Sequence, residues 1–434
     1  MHCTTSVCVN ISSRQHTLIG ITIFITMASP PDGGYGWVIL AIACYQSSSL
    51  GTLDFGFSVI LGPFAQHFHT STTILSLGGE MIGVIQYLLA PLFAHLGQHF
   101  GYRKTLIVAC TVVPLSIASS GFVQDAYSFV VLFCLVTGLC FGQMLLSTVM
   151  ILDTYFDKKL VLAHGFFTAA MTMGATLPSV VINFLAIDYG LTHVSMFLAS
   201  MFLVCLLMMP FFYPFAPDPL MEERSKQTTS KIRDWKTYCN FHGILFYGSV
   251  TLFYFGFMMS YMYLVEIVEY QSAEVITTTQ RSLVVLTFSL VNAPAKVIVS
   301  LATNYFDIAP QLVASTGLFL NCAVLTSLAY VNSFYIQVAL IALFGIFNAP
   351  TSAFTVPTAI KLFGKDNSDK AIGILYVCVG LGCIPGAPLT GLIFDQTETY
   401  MYGLFGSALL YLLAGSCNIV SCYFFYHGRF KDKG

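Results

Sequence analysis

The chain has 434 residues, 56% of them hydrophobic and 15% aromatic, with only 9% charged and a formal net charge of −2. An ordinary soluble domain carries about 25% charged residues to face water, so most of this surface faces lipid. The near-neutral balance gives no electrostatic footing for nucleic acid, which leaves a transporter, a channel, a receptor or a membrane-embedded enzyme.

Met1 to Thr26 is polar and ends in the short apolar run Leu18 to Ile25. That run is too short to span a bilayer and lacks the small-residue cleavage pattern of a signal peptide. Residues 1–30 read as a disordered cytoplasmic N-terminus, with Met27 as an alternative start; the sequon Asn10-Ile-Ser12 would then go unused. Apolar stretches of about 20 residues follow. In the first half they fall at about 37–62, 73–96, 105–123, 127–151, 160–186 and 193–215. In the second they fall at about 242–265, 279–303, 309–330, 334–360, 371–394 and 400–426. The expected organisation is an all-α membrane protein of twelve transmembrane helices in two six-helix bundles, 31–215 and 241–427. The charge-rich segment 216–240 is the cytoplasmic linker and 428–434 a cytoplasmic tail. Six plus six around a polar connector is the pattern of a transporter built from repeated halves. With both termini inside, every Lys and Arg of the 18 except Arg281 and Lys296 falls on the cytoplasmic side, as the positive-inside rule requires. The 13 cysteines form no CxxC pair and share no metal-ligand spacing with histidine, so they read as buried thiols and imply neither metal nor cofactor.

Three stretches carry more specific information. Asp32-Gly33-Gly34-Tyr35-Gly36-Trp37 stands at the mouth of the first span. Its glycines permit a tight turn into the membrane, and Trp37 suits the interface. Tyr155-Phe156-Asp157-Lys158-Lys159-Leu160 leads through Ala163 and His164 to Gly165 at the fifth span. There Lys158 and Lys159 anchor the cytoplasmic end, while Gly165, Ala169, Ala170 and Gly174 offer small residues for helix packing. Pro385-Gly-Ala-Pro388, followed by Gly391 and Asp395, lies towards the end of the eleventh span. Gating and packing roles are expected for these residues. The loop Gly97-Gln98-His-Phe-Gly101-Tyr-Arg103-Lys104 joins spans two and three. Arg103 there either braces an inward gate or is an ordinary positive-inside residue.

Together these stretches resemble the monocarboxylate transporter family of the major facilitator superfamily, over the whole chain from Met27 onward. Asp32, Gly33, Gly34, Tyr35, Gly36 and Trp37 match that family's first motif position by position. Tyr155, Phe156, Lys158, Lys159, Ala163 and Gly165 match its second, and Leu160 departs where a third basic residue is usual. The resemblance implies the major facilitator fold and symport of small monocarboxylates with H+ by alternating access at the plasma membrane. It also implies a single-span immunoglobulin-like glycoprotein as escort.

Ionisable groups inside the bilayer are costly and so mark function. Lys296 stands in Val291-Asn292-Ala293-Pro294-Ala295-Lys296 of the eighth span. Where the resembled family has an acid and an arginine for carboxylate binding and proton coupling, this chain has Asn292 and Lys296. The cation is kept as an anion-binding candidate, without arginine's bidentate fork; the other reading is a lysine that snorkels to the interface. The family's lysine of the first span is also missing between Asp54 and Ser58. Asp54 and Glu80, on neighbouring spans, become the proton-coupling candidates if they share a site, and are otherwise hydrated vestibule residues. The chain shows no HExxH motif, paired acidic motif or nucleophile elbow, so an enzyme is not expected. Within the transporter class, a facilitative carrier of aromatic or amphipathic solutes remains as an alternative; outside it, a transport-inactive, receptor-like member remains.

Overall fold

A computed structural model describes residues 32–68, 72–188, 190–213, 240–272 and 276–431. The N-terminal segment with its sequon and Met27, most of the linker, and the side chain of Glu80 lie outside the described residues.

Lipid offers no hydrogen bonds to the backbone, so a spanning chain must satisfy its own peptide groups, and the described chain does so in helices. In the first half these are α1 (Gly36–His67), α2 (Thr72–Leu88), α3 (Ala90–Phe100), α4 (Tyr102–Ser120), α5 (Ala126–Asp153), α6 (Leu160–Asp188) and α7 (Leu191–Met208). The second half contains α8 (Phe241–Tyr261), α9 (Leu264–Gln271), α10 (Thr278–Tyr305), α11 (Pro310–Leu328), α12 (Phe334–Phe363), α13 (Ser368–Thr397) and α14 (Met401–Lys431). Twelve units result when α2 with α3 counts as one and the short α9 is set aside. The α2–α3 break is a bend of 55°, caused by Pro91 in the first turn of α3, which has no N–H and crowds the turn before it. Helix starts are marked locally: Asp125 caps α5 by accepting the N–H of Ser128 at 2.9 Å. Thr277 and Gln280 form a reciprocal capping box at α10.

Arg103, Lys104, Lys158, Lys159, Lys361, Lys365 and Lys370, at helix ends and in turns, mark one end of the molecule, called here the basic face. Buried apolar side chains form two clusters. One fills the first half and continues through Phe246, Tyr247, Val356, Ile360, Ala371 and Leu375 into the second half at its basic end. The other, from Phe253 to Ala414, fills the rest of the second half. The halves are thus fused into one core near the basic face. Large apolar side chains such as Val108, Leu115, Leu207 and Ile298 are exposed, as a lipid-facing belt requires.

Two crossings on α6 position the site. A Cβ at Gly174 would overlap the backbone of Ser48 on α1, and one at Gly51 would overlap the carbonyl of Met171 on α6. On the far side of α6, a Cβ at Gly165 would collide with Ser300 of α10. Gly165 and Gly174 therefore do not share one small-residue face. Nine residues apart, they point about 180° from each other, and α6 is clasped between α1 of its own half and α10 of the other.

Candidate functional site

Lys296 lies on α10 where α10 packs against α6. Its ammonium donates to the Thr172 hydroxyl at 2.8 Å and to the Thr168 carbonyl at 3.2 Å, both across the boundary between the halves. The residue is only 7% exposed, so it does not snorkel to the interface. Asn292, one turn earlier, donates to the Gly345 carbonyl of α12 at 2.8 Å and accepts from the Thr172 hydroxyl at 3.4 Å. A lysine ammonium has three donors and no acceptor, and among the described residues no carboxylate lies within ion-pair distance of this one. The result is a buried lysine between the halves, held by neutral oxygens. Pro294, between Asn292 and Lys296, removes a ladder donor from α10 at this level. Sequence reasoning missed Thr168 and Thr172; the available signal was a run of threonines at 168, 172 and 176, recurring every fourth residue in an apolar helix.

Asp54 lies on the other side of α6, one turn beyond Gly51 on α1. Its Oδ2 accepts from the Gln86 side chain of α2 at 3.2 Å; that neutral amide is its recorded partner. Tyr87, next to Gln86, packs against Tyr376 of α13 with ring centroids 5.9 Å apart, carrying this side of the site to the second half as well.

The two motifs of the first half meet at the basic face. Asp32, in the left-handed region at φ 45°, accepts the backbone N–H groups of Asp157 (2.8 Å), Lys158 (3.2 Å) and Lys159 (3.1 Å). It thereby caps the chain entering α6. Burial acts to raise the Asp32 pKa, and the three N–H donors with nearby Lys365 outweigh it, holding the carboxyl below its usual range. Gly34 takes a positive φ of 57°, and Gly36 lies under the ring of Phe156. Trp37 meets Phe156 edge-on at 5.7 Å, and the Lys159 ammonium sits 5.5 Å from the Trp37 ring centroid. Tyr35 stacks on Tyr213 at 5.3 Å, while Arg103 lies over the same Tyr213 ring. Tyr155 donates to the Tyr213 carbonyl. Asp32, Gly34, Gly36, Trp37, Tyr155, Phe156, Lys158, Lys159 and Arg103 are thus one structural cluster, distant in sequence and adjacent in space.

Bracing across the halves comes from Lys365 with Asp157 and from Gln98 with Asp369. Lys365 pairs with Asp157 at 2.8 Å and donates to the Phe156 carbonyl at 3.1 Å. Gln98 donates to Asp369 in the first turn of α13 at 3.2 Å; a helix N-terminus favours an acid there. His164 and Asp153 form a further buried pair at 2.8 Å within the first half.

Paired helical bundles with a buried lysine between them and polar contacts across one end form the architecture of a membrane transporter. The profile described as Major Facilitator Superfamily matches residues 36–278 and 270–432, and the chain belongs to that superfamily, a family of transporters and not of enzymes. Among curated relatives, monocarboxylate transporter 10 of Rattus norvegicus is 20% identical over 394 residues, covering 86% of this chain and 75% of the relative. Monocarboxylate transporter 2 of Homo sapiens is 23% identical over 401 residues, covering 86% and 82%. Solved structures share the fold. A proton:xylose symporter bound to 6-bromo-6-deoxy-D-glucose superposes with a TM-score of 0.71 at 12% identity, covering 91% of this chain and 95% of that one. The human organic anion transporter MFSD10 gives 0.70 at 14% identity, covering 90% and 100%.

Proposed function

We propose that this chain carries small monocarboxylates across the plasma membrane by alternating access, coupled to H+, with Lys296 as the group that meets the carboxylate. The observation that carries this reading is the buried ammonium at the boundary of the halves, whose counter-charge a bound organic anion would supply. A desolvated charge without an ionic partner is costly, and one that an incoming anion neutralises draws that anion to the midplane. The names of the relatives point to the same solute class. Asn292 and Thr172 set the direction of the ammonium, and Asp54 and Glu80 are the candidates for carrying the proton. In this reading the basic face is cytoplasmic, both termini lie inside, and residues 31–215 and 241–427 rock as two units about the linker. The contacts of Lys365 with Asp157 and of Gln98 with Asp369 then form a closed inner gate.

The test is uptake of labelled lactate, pyruvate and an aromatic carboxylate into cells, at acidic and at neutral external pH, with surface expression measured. Wild type is expected to take up at least one of them, faster at acidic pH, and Lys296→Ala to abolish that uptake. Carboxylate uptake indifferent to Lys296 would overturn the anion site. A second reading, an aromatic solute, draws on the rings of Phe257, Tyr261, Phe288 and Phe344, which pack together one turn from Asn292. Preference for the aromatic member of the panel would favour it. The escort glycoprotein belongs to this proposal too, and surface delivery with and without its co-expression tests it.

A further inference from the structure

We infer that Asp54 and Gln86 form an acid–amide pair that binds one proton, on the opposite side of α6 from the anion site at Lys296. The inference rests on the symport reading above and names the atoms that reading lacks. Gln86 is 1% exposed and donates through Nε2 to Asp54 Oδ2 at 3.2 Å. The two remaining atoms of this pair, Asp54 Oδ1 and Gln86 Oε1, are both shut off from solvent and both without a hydrogen-bond partner. An ionised carboxylate is acceptor-only, and so is an amide oxygen. Two acceptor atoms of one pair, both closed to solvent, are left without a donor. A proton on Asp54 Oδ1 supplies the missing donor to Gln86 Oε1, while the observed N–H to Oδ2 bond stays in place. Buried polar groups are satisfied in the great majority of native structures, and here one proton satisfies two.

The surroundings of Asp54 fit a site for H+ alone. Four elements pack against α1: α2, α5, α6 and α7. On α2, Gln86 is joined by Tyr87, which is within electrostatic reach of Asp54 and of Tyr254, Tyr376 and Cys383 of the second half. Glu80 stands six residues earlier on α2. On α6, the backbone of Met171 meets Gly51, and that of Ser48 on α1 meets Gly174. Nearer the basic face, α5 presents Thr148 to Gln46 and α7 presents Cys205 to Ser49. Among the described residues, no lysine, arginine or histidine is recorded in contact with Asp54. A metal ion would need further oxygen ligands; a proton needs one donor position and one acceptor.

The step is a simple protonation. Asp54 as carboxylate takes H+ from the outer solution and becomes a neutral acid; when the halves rock, the same O–H bond breaks and H+ leaves to the cytoplasm. The helix α6 joins the two sites, since its Thr168 and Thr172 hold Lys296 while its opposite face bears on α1 one turn below Asp54. Protonation on one side and anion arrival on the other thus act on the same helix.

The experiment is an infrared pH titration of purified full-length protein, wild type, Asp54→Asn and Gln86→Leu, each checked for monodispersity. Acidification of wild type is expected to raise a carboxylic-acid C=O band, absent in Asp54→Asn. Gln86→Leu keeps the carboxyl but removes the N–H that its carbonyl accepts, so the band should persist and move to higher frequency. An acid band of unchanged amplitude in Asp54→Asn would overturn the inference, as would an unmoved band in Gln86→Leu. Uptake by the same variants separates this result from the substrate reading. Loss of pH dependence in Asp54→Asn supports the pair. No carboxylate uptake by wild type would sink the substrate assignment alone, while the infrared bands still support or overturn the proton site.

Discussion

Lys296 is held by two oxygens on a single helix of the opposite half, one a hydroxyl and one a carbonyl whose own helix bond it shares. Of these, only the Thr172 hydroxyl can be deleted by mutation. Hydrogen bonds to a charged group contribute about 1.5–3 kcal/mol, so Thr172→Val should release the ammonium from its present direction. The expected outcome is a fall of about tenfold in uptake per transporter at the cell surface, with Thr172→Ser retaining activity. At the basic face, Asp32 works as a remote cap for α6. Asp32→Ala removes the acceptor for three N–H groups and should cost about 1 kcal/mol, read as a lower melting temperature in detergent. The pH sign follows from the shift. Because the folded pKa of Asp32 is depressed, its contribution is complete above the unfolded value of about 3.9 and is lost as pH falls through the folded one. Wild type should therefore lose its margin over Asp32→Ala on strong acidification, and show it in full at neutral pH.

At the scale of helices, α6 is tightly packed on two sides, against the backbone of α1 and against Ser300 of α10. At Gly174 and Gly51 the atoms in the way of a Cβ are backbone, which cannot swing aside as a side chain does. Gly174→Ala is expected to cost roughly 1–3 kcal/mol or to force α1 and α6 apart, seen as a drop in melting temperature. Gly83, in the interior of α2, is the contrast: nothing lies within 4 Å of a Cβ placed there. Gly83→Ala should be neutral or stabilise by about 0.5–1 kcal/mol, since it only restricts the unfolded chain and favours the helix. Gly165 is intermediate, for there the obstacle is the Ser300 side chain of α10. A substitution at that position bears on how the halves meet more than on how the first half folds. The bend between α2 and α3 has a similarly local cause in Pro91, and it aims α3 at α13, where Gln98 finds Asp369.

For the molecule as a whole, in the proposed alternating-access cycle the shared core at the basic face and the polar contacts across it would hold one of the two access states. Lys365 and Asp157 are partly exposed, at 34% and 57% of their side-chain surface, so the pair contributes about 0–1 kcal/mol. That is enough to shift a two-state balance by up to about fivefold. Asp157→Lys should populate the state open at the basic face, and the charge swap Asp157→Lys with Lys365→Asp should restore the closed one. Spin labels placed on the basic ends of α5 and α12 would read this as a distance that lengthens and then returns.

The apolar runs and the placement of basic residues made twelve spans legible, because a helix must be about 20 residues long to cross lipid whatever its neighbours are. Lys296 stood out for the same reason, a charge where hydrocarbon should be. Asp32 and the segment from Tyr155 to Gly165 were recognisable as motifs, but not as one another's partners, because 125 residues separate Asp32 from Asp157. The same distance problem hid Thr172 from Lys296, Gln86 from Asp54, Asp157 from Lys365 and Asp369 from Gln98. Hydropathy and spacing act along a chain and are written in it. Which group faces a buried side chain depends on how helices cross, and for α6 against α1 and α10 the close approaches come at Gly51, Gly174 and Gly165, where only packing in three dimensions shows which neighbour comes close.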